Sequence, residues 1–590
     1  MKDFWKNVGA TIVGMLILCI IAGLFGLFTF IGALVSGNDK PAIAKNSVLV
    51  LQLDGEMEEG SSQPSIRDYI QGNIESTPGF TETLSAIKKA RNNNKISGIY
   101  IESNDFHADM AQLEELRKAL LDFKKAGKWI IAYGEAYGQG AYYLASAADK
   151  IYINPSGEIL WAGMGGKPYY LKDAFAKAGI KFVAFKCGKY KSAVENFTEN
   201  SMSAPAREQA ERYIQGMWDT MTAAVSKSRG ISVDSLNSYA DRFIALEPTE
   251  NLKKYKFVDG LIYNDSIKGI IKKQLGIDAD ATIHQVSVST MAAQDDSESG
   301  DKIAVYNMWG DIVGSRVPVS MGGGHSIAQD QVCQDLQDLA DDDDVKAVVL
   351  RVNSGGGDAY ASEQIWHEVM MLKKKKPVVI SMSGAAASGA YYLSTAANWI
   401  VADPTTITGS IGIFGLFPDM SGLIQGKFGV HFDSVKTNRN SDFLEDGTFT
   451  PEQAQLMQAS INHGYWLFKS RVAEGRKLSM ARVEEIAQGH VYLASDAIKI
   501  GLVDQLGGLD DAVKKAAQLA KSDDYHEEFY PGEQSLLDQL LAAEDQNAGN
   551  FLDEQARNVL GDYYTSMKIL MEAQRMKGIQ ARLPFIFKVN

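Results

Sequence analysis

The most apolar part of the sequence is its N-terminal segment. Residues 8–35 read VGATIVGMLILCIIAGLFGLFTFIGALV and carry no charged side chain. A transmembrane helix needs about 20 apolar residues, whereas the apolar core of a signal peptide has about 7–15. The pattern therefore predicts a single transmembrane helix over 8–35. Because Lys2 and Lys6 precede it, the positive-inside rule predicts that residues 1–7 are cytoplasmic and that the rest of the chain lies across the membrane.

Beyond residue 45, short apolar runs alternate with segments of helical periodicity, and this order occurs twice. In each copy, two runs rich in β-branched residues are followed by a helical segment and a third run. Strands that alternate with helices in this way indicate βαβ units and a largely parallel sheet. The predicted strands lie within 46–57, 92–103 and 128–135 in the first copy and within 301–312, 341–354 and 376–384 in the second, and the helices within 109–126 and 360–375.

The two copies superimpose without gaps around one motif. EAYGQGAYYLASAADKIYINP (135–155) and GAAASGAYYLSTAANWIVADP (384–404) share GAYYL, AA and the closing Pro when residue numbers are shifted by 249, which is 384 minus 135. An internal repeat of this length indicates a duplicated domain. We therefore predict two tandem α/β domains of repeated ββα-type units, 46–290 and 301–522, joined by the polar linker 289–301.

A C-terminal extension, 523–590, follows the two predicted domains. Its pattern is mostly helical, and it closes with the strand-like stretch ARLPFIFKV (581–589). Neither the pattern nor the composition of this extension indicates what it does.

Composition narrows the possible function classes. The net charge of −14 at pH 7 argues against nucleic-acid binding, which requires a basic surface. The sequence contains no Walker A motif, no zinc-finger spacing and no HExxH, and its three cysteines are isolated from one another. We therefore predict neither a metal site nor a cofactor.

Since the copies share a scaffold, differences between them point to functional residues. The second copy reads RVNSGGGDAYASE (351–363) where the first reads IESNDFHADMAQLE (101–114). Successive glycines before a helix let a ligand approach the backbone and present free N–H groups to a negative charge, as an oxyanion hole requires. Ser388, in AAASGAYY, stands where the first copy has Gln139, and its small neighbours leave room for attack by a nucleophile.

A lysine is the predicted base for this serine. The shift that relates Gln139 to Ser388 also relates Lys191 to Asn440, so each copy keeps one of the two reactive groups. A lysine can act as a general base when burial lowers its pKa towards neutrality. We predict a Ser388–Lys191 dyad in which the first domain supplies the lysine, the second supplies the serine, and both belong to the same chain.

Three other residues remain open as the base. Lys186 and Lys189 are close neighbours of Lys191 in KCGKYKSAVENFT (186–198). His490 is a further possibility, although it corresponds to Asp241 of the first copy and is better interpreted as structural.

These motifs resemble those of signal peptide peptidase A in its long, tandem-domain form, a family of membrane-anchored Ser–Lys proteases. The resemblance covers the anchor, both repeats, YKSAVENF (190–197), ASGAYY (387–392) and TGSIGIFG (408–415). It implies a fold similar to Clp proteases and crotonases in both domains. It also implies a location in the inner membrane, with the catalytic domains in the periplasm.

Residue by residue, the resemblance implies a role for five positions. Ser388 matches the nucleophile and Lys191 the general base, and Ser410 matches a serine that orients the lysine. Gly357 and Gly389 match the donors of the oxyanion hole.

The glycine loop departs from the N-S-P-G-G-S that is frequent in the family. This chain has NSGGGD (353–358), with Gly355 in place of Pro and Asp358 in place of Ser. The departure leaves open whether Gly356 or Gly357 is the oxyanion donor. We expect Asp358 to cap the helix that follows it.

The resemblance implies an endopeptidase that degrades signal peptides left in the membrane after cleavage, or other unfolded apolar peptides. It implies assembly as a homotetramer, with contact to the bilayer through the N-terminal helix and none to nucleic acid. Two alternatives of other classes remain: a crotonase-like enzyme acting on acyl thioesters, which would share the oxyanion hole, and a non-catalytic anchored scaffold.

Overall fold

The computed structural model describes residues 42–61, 78–294, 299–315, 325–443, 447–531 and 578–583. The predicted transmembrane helix and the segment before it lie outside these residues. Among the residues described, no helix combines the length and the hydropathy that crossing a bilayer requires.

The first half of the chain folds around a six-stranded parallel sheet. The strands of this half are β1 Ser47–Glu56, β2 Ile96–His107, β3 Trp129–Gly134, β4 Lys150–Ile153, β5 Lys181–Lys186, β6 Gly260–Leu261 and β7 Gln285–Val286. The helices are α1 Phe80–Asn92, α2 Met110–Lys125, α3 Gln139–Ala145, α4 Lys172–Ala178, α5 Glu195–Thr198, α6 Ala204–Arg229, α7 Val233–Asp241, α8 Glu250–Lys254, α9 Asn264–Leu275 and α10 Val288–Ala292, with a 3-10 turn at Ile244–Leu246. The sheet order is β6-β4-β3-β2-β1-β7, and β5 lies outside it.

The second half repeats this plan around a larger sheet of eight strands. The strands of this half and of the C-terminal segment are β8 Asp301–Trp309, β9 Asp311–Val313, β10 Ser326–Ala328, β11 Val345–Ser354, β12 Gly356–Asp358, β13 Val378–Ala387, β14 Trp399–Ala402, β15 Ile407–Gly409, β16 Phe414–Asp419, β17 Val491–Leu493, β18 Gln505–Leu506, β19 Tyr525–Tyr530 and β20 Gly578–Arg582. The helices are α11 Gln329–Asp341, α12 Ala359–Lys375, α13 Gly389–Ser394, α14 Pro451–Arg476, α15 Met480–Ile486, α16 Ala494–Ala497 and α17 Leu509–Ala520, with a π-helix at Gly422–Lys427 and a 3-10 turn at Ile498–Ile500. The order is β17-β15-β13-β11-β8-β19, β14 pairs with both β13 and β18, and the β15–β17 pair is antiparallel.

The central strands are largely buried because helices cover both faces of a parallel sheet. All ten residues of β13 are buried. Helix α12 starts directly after strand β12 with a side-chain cap. In this cap the Asp358 carboxylate accepts the N–H of Ala361 at 2.8 Å. The cap satisfies one of the donors that the first turn of a helix leaves unpaired. The predicted capping role of Asp358 is therefore confirmed.

A third sheet combines strands from both halves and from the C-terminal segment. Its order is β10-β9-β12-β20-β16-β5. Strand β5 of the first half pairs antiparallel with β16 of the second half, from Lys181 opposite Asp419 to Lys186 opposite Phe414. Strand β20 fills the place between β12 and β16. This sheet connects the halves through main-chain hydrogen bonds and brings the loop after β5 close to the second domain.

A buried ionic cluster forms the second connection between the halves. Arg351 of β11 is fully buried and pairs with two carboxylates of the first half, Glu59 at 3.0 Å and Glu115 at 2.7 Å. It also donates hydrogen bonds to the hydroxyls of Ser381 at 3.0 Å and Ser383 at 2.9 Å. Burial alone would lower the pKa of Arg351, but Glu115 and Glu59 outweigh burial and raise it. The guanidinium is neutralised only where the two halves meet.

One prediction of local structure was wrong. The extension was predicted to be helical from residue 523, but β19 is a strand that pairs in parallel with β8. The free edge of β8 provides a full row of hydrogen bonds, which outweighs local helical preference. The first residues of the predicted polar linker 289–301 belong to α10, whose Met291 packs into the core.

Loss of the Arg351 guanidinium should destabilise the protein strongly. We expect Arg351→Met to lower the free energy of unfolding by about 3–5 kcal/mol, because Glu59 and Glu115 would stay buried without a counter-ion. Urea unfolding followed by tryptophan fluorescence measures the effect. The matched control is Arg439→Ala, which removes an exposed pair with Glu452 and should cost less than about 1 kcal/mol. Equal effects of the two variants would contradict the role given to Arg351.

Candidate active site

Ser388 lies at the turn between β13 and α13. Its backbone has φ of +55° and ψ of −114°, a conformation that residues with a side chain rarely adopt. The Ser388 N–H donates to the carbonyl of Gly409, and its carbonyl accepts the N–H of Tyr392, both at 2.8 Å. Strand and helix together hold the strained turn, and the side chain is fully buried. Strain of this kind is common where a reactive group must be aimed.

The glycine loop lies against this turn. A Cβ atom added to Gly389 would stand 3.2 Å from the nitrogen of Gly357, so the two N–H groups lie close together beside Ser388. Gly356 has φ of +99°, which favours glycine, and its N–H donates to the Ser354 hydroxyl at 3.1 Å. Because the Gly356 N–H is already used within the loop, Gly357 is the better candidate for the oxyanion donor.

Lys191 reaches the same turn from the other half of the chain. The loop that follows β5 carries it, and two main-chain hydrogen bonds attach this loop to the second half. The Cys187 N–H donates to the carbonyl of Ile413 at 3.1 Å, and the Tyr190 N–H donates to the carbonyl of Gln488 at 2.9 Å. The position of the lysine therefore depends on how the halves are joined.

Glycines make room for the lysine on the second half. Gly489 has φ of +77°, and a Cβ atom there would stand 2.6 Å from the main-chain nitrogen of Lys191. A Cβ atom on Gly412 would stand 3.3 Å from Cδ of Lys191. On the lysine loop itself, Gly188 has φ of +89° and packs so closely that a Cβ atom would collide with the main chain of Gln488.

Gln209 of helix α6 fixes the lysine loop from the opposite side. Its Nε2 donates to the carbonyl of Tyr190 at 3.2 Å and to the hydroxyl of Ser192 at 3.3 Å. Its Oε1 accepts the N–H of Val491 at 3.1 Å. One buried amide thus connects the residues on both sides of Lys191 to strand β17 of the second half.

The Lys191 amine and the Ser388 hydroxyl are in direct contact. Nζ of Lys191 lies 2.7 Å from Oγ of Ser388, 3.0 Å from Oγ of Ser410 and 3.2 Å from the carbonyl oxygen of Ser410. Only 1% of Lys191 is exposed, and this burial lowers its pKa well below 10.5. Desolvation disfavours the ammonium form, so the neutral amine, which can accept a proton, is populated well below the ordinary lysine pKa.

The other candidate bases have different surroundings. Lys186 is 39% exposed, and the amine of Lys189 lies 4.8 Å from the centre of the Tyr190 ring. The His490 ring packs between Tyr190 at 4.3 Å and Tyr492 at 4.2 Å. Its burial lowers the pKa of His490, and the structural interpretation of this residue agrees with its aromatic packing.

The matching place in the first half is filled. The Gln139 Oε1 accepts the N–H groups of Ala162 at 2.7 Å and Gly163 at 2.8 Å, and its Nε2 donates to the Gly163 carbonyl at 3.1 Å. Trp161, at the position of Ser410, is fully buried. Asn440, at the position of Lys191, is exposed. The Gln139 amide therefore closes a loop of the first half, and the corresponding loop of the second half lies beside the nucleophile.

An extended segment lies along the glycine loop. Strand β20 pairs antiparallel with β12 on one side and with β16 on the other. Strand edges that offer unpaired main-chain groups bind peptides by adding a strand. The cleft beside Ser388 therefore has the shape and the hydrogen-bonding groups for one extended peptide.

The arrangement contains the parts that acyl transfer needs. A strained serine, a desolvated amine and a pair of N–H groups meet within one buried volume. Across the part of the chain that the structure describes, His, Cys, Asp and Glu side chains form no group of three or more with metal-binding geometry.

Several positioning residues were missed from the sequence. Gln209 lies far from both repeat motifs, and the demand on Gly489 arises only when Lys191 packs against it. The TGSIGIFG motif does contain Gly412, but nothing in the sequence relates that glycine to a lysine more than 200 residues earlier. The pairing of β20 with the glycine loop was also not predicted.

Comparison with known proteins identifies the family. The sequence profile of peptidase family S49 matches residues 122–277 and 370–523, and that of Clp protease matches residues 300–401. The S49 matches together cover more than half of the chain, once in each of the two halves. They confirm the tandem architecture and give the domains a Clp-protease-like fold.

Full-length relatives agree with these profiles. The chain is 37% identical to Protease 4 of Salmonella typhi over 78% of this chain and 75% of that protein. It is 34% identical to Protease 4 of Haemophilus influenzae over 89% of this chain and 90% of that protein. It is 28% identical to the chloroplastic serine protease SPPA of Arabidopsis thaliana over 92% and 78%, respectively. The chain therefore belongs to peptidase family S49 and is a serine protease of the tandem-domain Protease 4 type.

Proposed function

We propose that the chain is a membrane-anchored endopeptidase that uses a Ser388–Lys191 dyad and degrades signal peptides left in the membrane after cleavage. The observation that carries the proposal is the 2.7 Å contact between the Lys191 amine and the Ser388 hydroxyl, made by a fully buried lysine. Burying a lysine costs stability, and burial is the cause that lowers its pKa. Such a cost is typical of a group selected for proton transfer.

Acylation follows from the contacts around the dyad. The neutral Lys191 amine accepts the proton of the Ser388 hydroxyl as Oγ attacks the carbonyl carbon of the scissile bond. The N–H groups of Gly357 and Gly389 stabilise the oxyanion that forms. The Lys191 ammonium then gives its proton to the leaving amine, and the C–N bond breaks. Ser410 accepts hydrogen bonds from the amine and keeps Nζ directed at the serine.

Deacylation uses the same groups in reverse order. Lys191, neutral again, removes a proton from a water molecule that attacks the acyl ester. The second oxyanion is held by the same two N–H groups, and its collapse returns the proton to Oγ of Ser388. Strain at Ser388 and the surrounding main-chain hydrogen bonds keep the reacting atoms aligned, so little reorganisation is needed in either step.

The substrate class follows from the cleft. A peptide must be extended to pair with the edges of β12 and β16, which excludes segments already folded into a domain. The apolar segment 8–35 would hold this cleft near the surface of a bilayer, where cleaved signal peptides remain. The inner-membrane location and the periplasmic position of the domains belong to the same proposal.

Assembly as a homotetramer is also proposed, following the family resemblance. Phe428, Phe432 and Val435 expose their side chains on one loop of the second half. Exposed apolar side chains that follow one another closely along a loop in this way are commonly buried at subunit contacts.

Substitution of either dyad residue should abolish peptide hydrolysis. We expect Ser388→Ala and Lys191→Ala to lower kcat/KM by at least about 1000-fold, because the nucleophile and its base act as one unit. The measurement is hydrolysis of an unfolded apolar peptide with a fluorescent reporter. The matched control is Lys189→Ala, which removes a nearby lysine and should keep most of the activity.

Three results would contradict the dyad or the protease assignment of this site. High activity of Lys191→Ala would place the base elsewhere. Activity of the wild-type protein on an acyl thioester but not on peptides would favour the crotonase-like alternative. Inactivity on both would favour a scaffold.

Activity should fall as the pH decreases through the lowered pKa of Lys191. Only the neutral amine accepts the serine proton, so kcat/KM should rise with pH and reach a plateau well below pH 10. Initial rates over a pH series check this expectation. Ser410→Ala should lower the plateau by about 10–100-fold, since the Lys191 amine would lose a hydrogen bond that holds it against Ser388. A limb that rises only near the ordinary lysine pKa would contradict a desolvated base.

Removing the buried amine should stabilise the fold. The folded-state pKa of Lys191 lies below the unfolded value of about 10.4, so the unfolded chain binds more protons between these two values. The stability cost of burying the protonated amine is complete below the folded-state pKa. It disappears above the unfolded-state pKa, where the amine is neutral in both states. We expect Lys191→Met to be inactive yet to unfold at a higher urea concentration at pH 7. A lower midpoint would contradict the desolvation cost assigned to Lys191.

A further inference from the structure

Asn353 is the first residue of the glycine loop, and its side chain contacts three separate parts of the chain. Its Nδ2 donates to Oε1 of Glu59 at 3.1 Å and to Oδ2 of Asp109 at 2.8 Å, both in the first half. Its Oδ1 accepts the N–H of Ala385 on β13 at 3.0 Å. Because Nδ2 meets two carboxylates and Oδ1 meets a donor, only this orientation of the amide satisfies all three partners.

The contact with β13 bridges a break between the two strands that meet at the site. Strands β11 and β13 pair in register as far as Val352 opposite Met382, and pairing resumes at Ser354 opposite Ala386. Over this interval β11 advances by two residues, 352 to 354, whereas β13 advances by four, 382 to 386. The Asn353 side chain supplies a hydrogen bond where the main-chain ladder is interrupted. It therefore sets how the glycine loop stands relative to the strand that leads to the nucleophile.

The main chain of Asn353 holds the other side of the glycine loop. Its carbonyl accepts the N–H of Gly310 at 3.1 Å. Strand β9 begins at the next residue, and its Ile312 pairs with Gly357. Asn353 thus fixes the start of the loop and also the strand against which the oxyanion donor lies.

Glu59, the first of the two carboxylates, connects the halves at this point. It is fully buried, and its Oε1 also accepts hydrogen bonds from Gln112 at 2.9 Å and from Ser383. Its Oε2 accepts the N–H of Arg351 at 3.0 Å. The donors belong to α2, β11 and β13, so the Glu59 carboxylate cannot shift without disturbing both strands of the site. Hydrogen bonds to a buried charged group are stronger than those between neutral groups, which keeps the Asn353 amide in one position.

Asp109, the second carboxylate, lies just before helix α2 and is 5% exposed. Its N–H donates to the side-chain oxygen of Gln112 at 3.1 Å. Its carboxyl group packs against β13 so closely that a Cβ atom on Gly384 would collide with it. The glycine at 384 therefore makes room for a carboxylate of the first half beside the strand that leads to Ser388.

We propose that Asn353 is a positioning residue for the oxyanion hole and that Glu59 and Asp109 act through it. The proposal rests on the proposed function, since it concerns the same oxyanion. The first half then contributes twice to one site, because it carries the base and also holds the loop that presents the Gly357 N–H. The three side chains act through the main chain, by keeping this N–H aimed at the position where negative charge develops. A preorganised donor stabilises the transition state more than one that must first be oriented.

The pH dependence of hydrolysis separates this role from a role in joining the halves. A looser junction would let water reach Lys191, return its pKa towards the ordinary value and move the rising limb of the pH–rate profile to higher pH. A misplaced oxyanion donor lowers kcat and leaves the limb in place. We expect Asn353→Ala to lower kcat by about 10–100-fold, with KM within about threefold of wild type and the limb unmoved. Gln209→Ala, which loosens the lysine loop, should move the limb instead.

Inhibition by a peptide aldehyde gives a second readout. The adduct of an aldehyde with Ser388 places an oxygen in the oxyanion hole, as the transition state does. The inhibition constant for Asn353→Ala should therefore rise by about the factor by which kcat/KM falls. Asp109→Ala should lose about tenfold in kcat, and Asp109→Asn, which keeps an acceptor for the Asn353 amide, should recover most of that loss.

The matched control is Asn307→Ala. Asn307 is a buried amide on the neighbouring strand β8, and its side-chain oxygen has no hydrogen-bond partner in the part of the chain that the structure describes. Its replacement should leave kcat/KM close to the wild-type value. If Asn353→Ala does not fold, as judged by circular dichroism, the two Asp109 variants decide the question with the same kcat and aldehyde measurements.

The outcomes separate this inference from the proposed function. If wild-type protein hydrolyses peptides and Asn353→Ala does so equally well, the positioning role is overturned and the dyad stands. A loss confined to KM, a limb that moves to higher pH, or an unchanged aldehyde inhibition constant would also overturn it. Equal losses in Asp109→Asn and Asp109→Ala would remove Asp109 from the role. If the wild-type protein hydrolyses no peptide, the proposed function fails and this inference fails with it.

Discussion

The contact between the Lys191 amine and the Ser388 hydroxyl is the constraint on which the rest of the structure depends. The two residues are 197 positions apart and come from opposite halves of the chain. The amine is useful only while water is excluded, because solvent would restore the ordinary lysine pKa and leave the amine protonated. The halves must therefore meet closely enough to bury a lysine, at a cost in stability that other contacts have to offset.

Those contacts are of two physical kinds. The third sheet connects the halves by main-chain hydrogen bonds between β5 and β16. The register of this pairing sets the position of the lysine loop relative to the second domain. The pairing of Arg351 with Glu59 and Glu115 restricts the relative position of the two halves through charge. A buried ion pair contributes little net stability, but it strongly penalises any arrangement in which the charges are separated. The cluster therefore favours one relative position of the halves over others that bury similar apolar area.

Duplication explains why a single chain contains one site of this kind. Each half keeps the strand–turn–helix that could position a nucleophile, but in the first half Gln139 turns its amide onto Ala162 and Gly163. Those hydrogen bonds satisfy the loop that would otherwise need a ligand or water. The second half kept the serine and the glycine loop, and the lysine that contacts this serine comes from the first. The C-terminal strand then completes the sheet beside that loop by pairing with β12 and β16.

The sequence by itself determined the duplicated α/β architecture, the first strands and helices of each copy, and the two residues that meet at the site. Hydrophobic periodicity and a constant shift of 249 are local or pairwise properties of the chain, so they predicted the repeat, Ser388 and Lys191 without coordinates. The preference of Asp for the start of a helix predicted the cap at Asp358. Only the tertiary structure decided which lysine faces the serine, why Gly489 must be a glycine, and what Gln209 holds. It also turned part of an apparently helical extension into β19 and placed β20 in the cleft. These outcomes depend on edges and surfaces that exist only after distant segments pack together, and local preference carries no information about such partners.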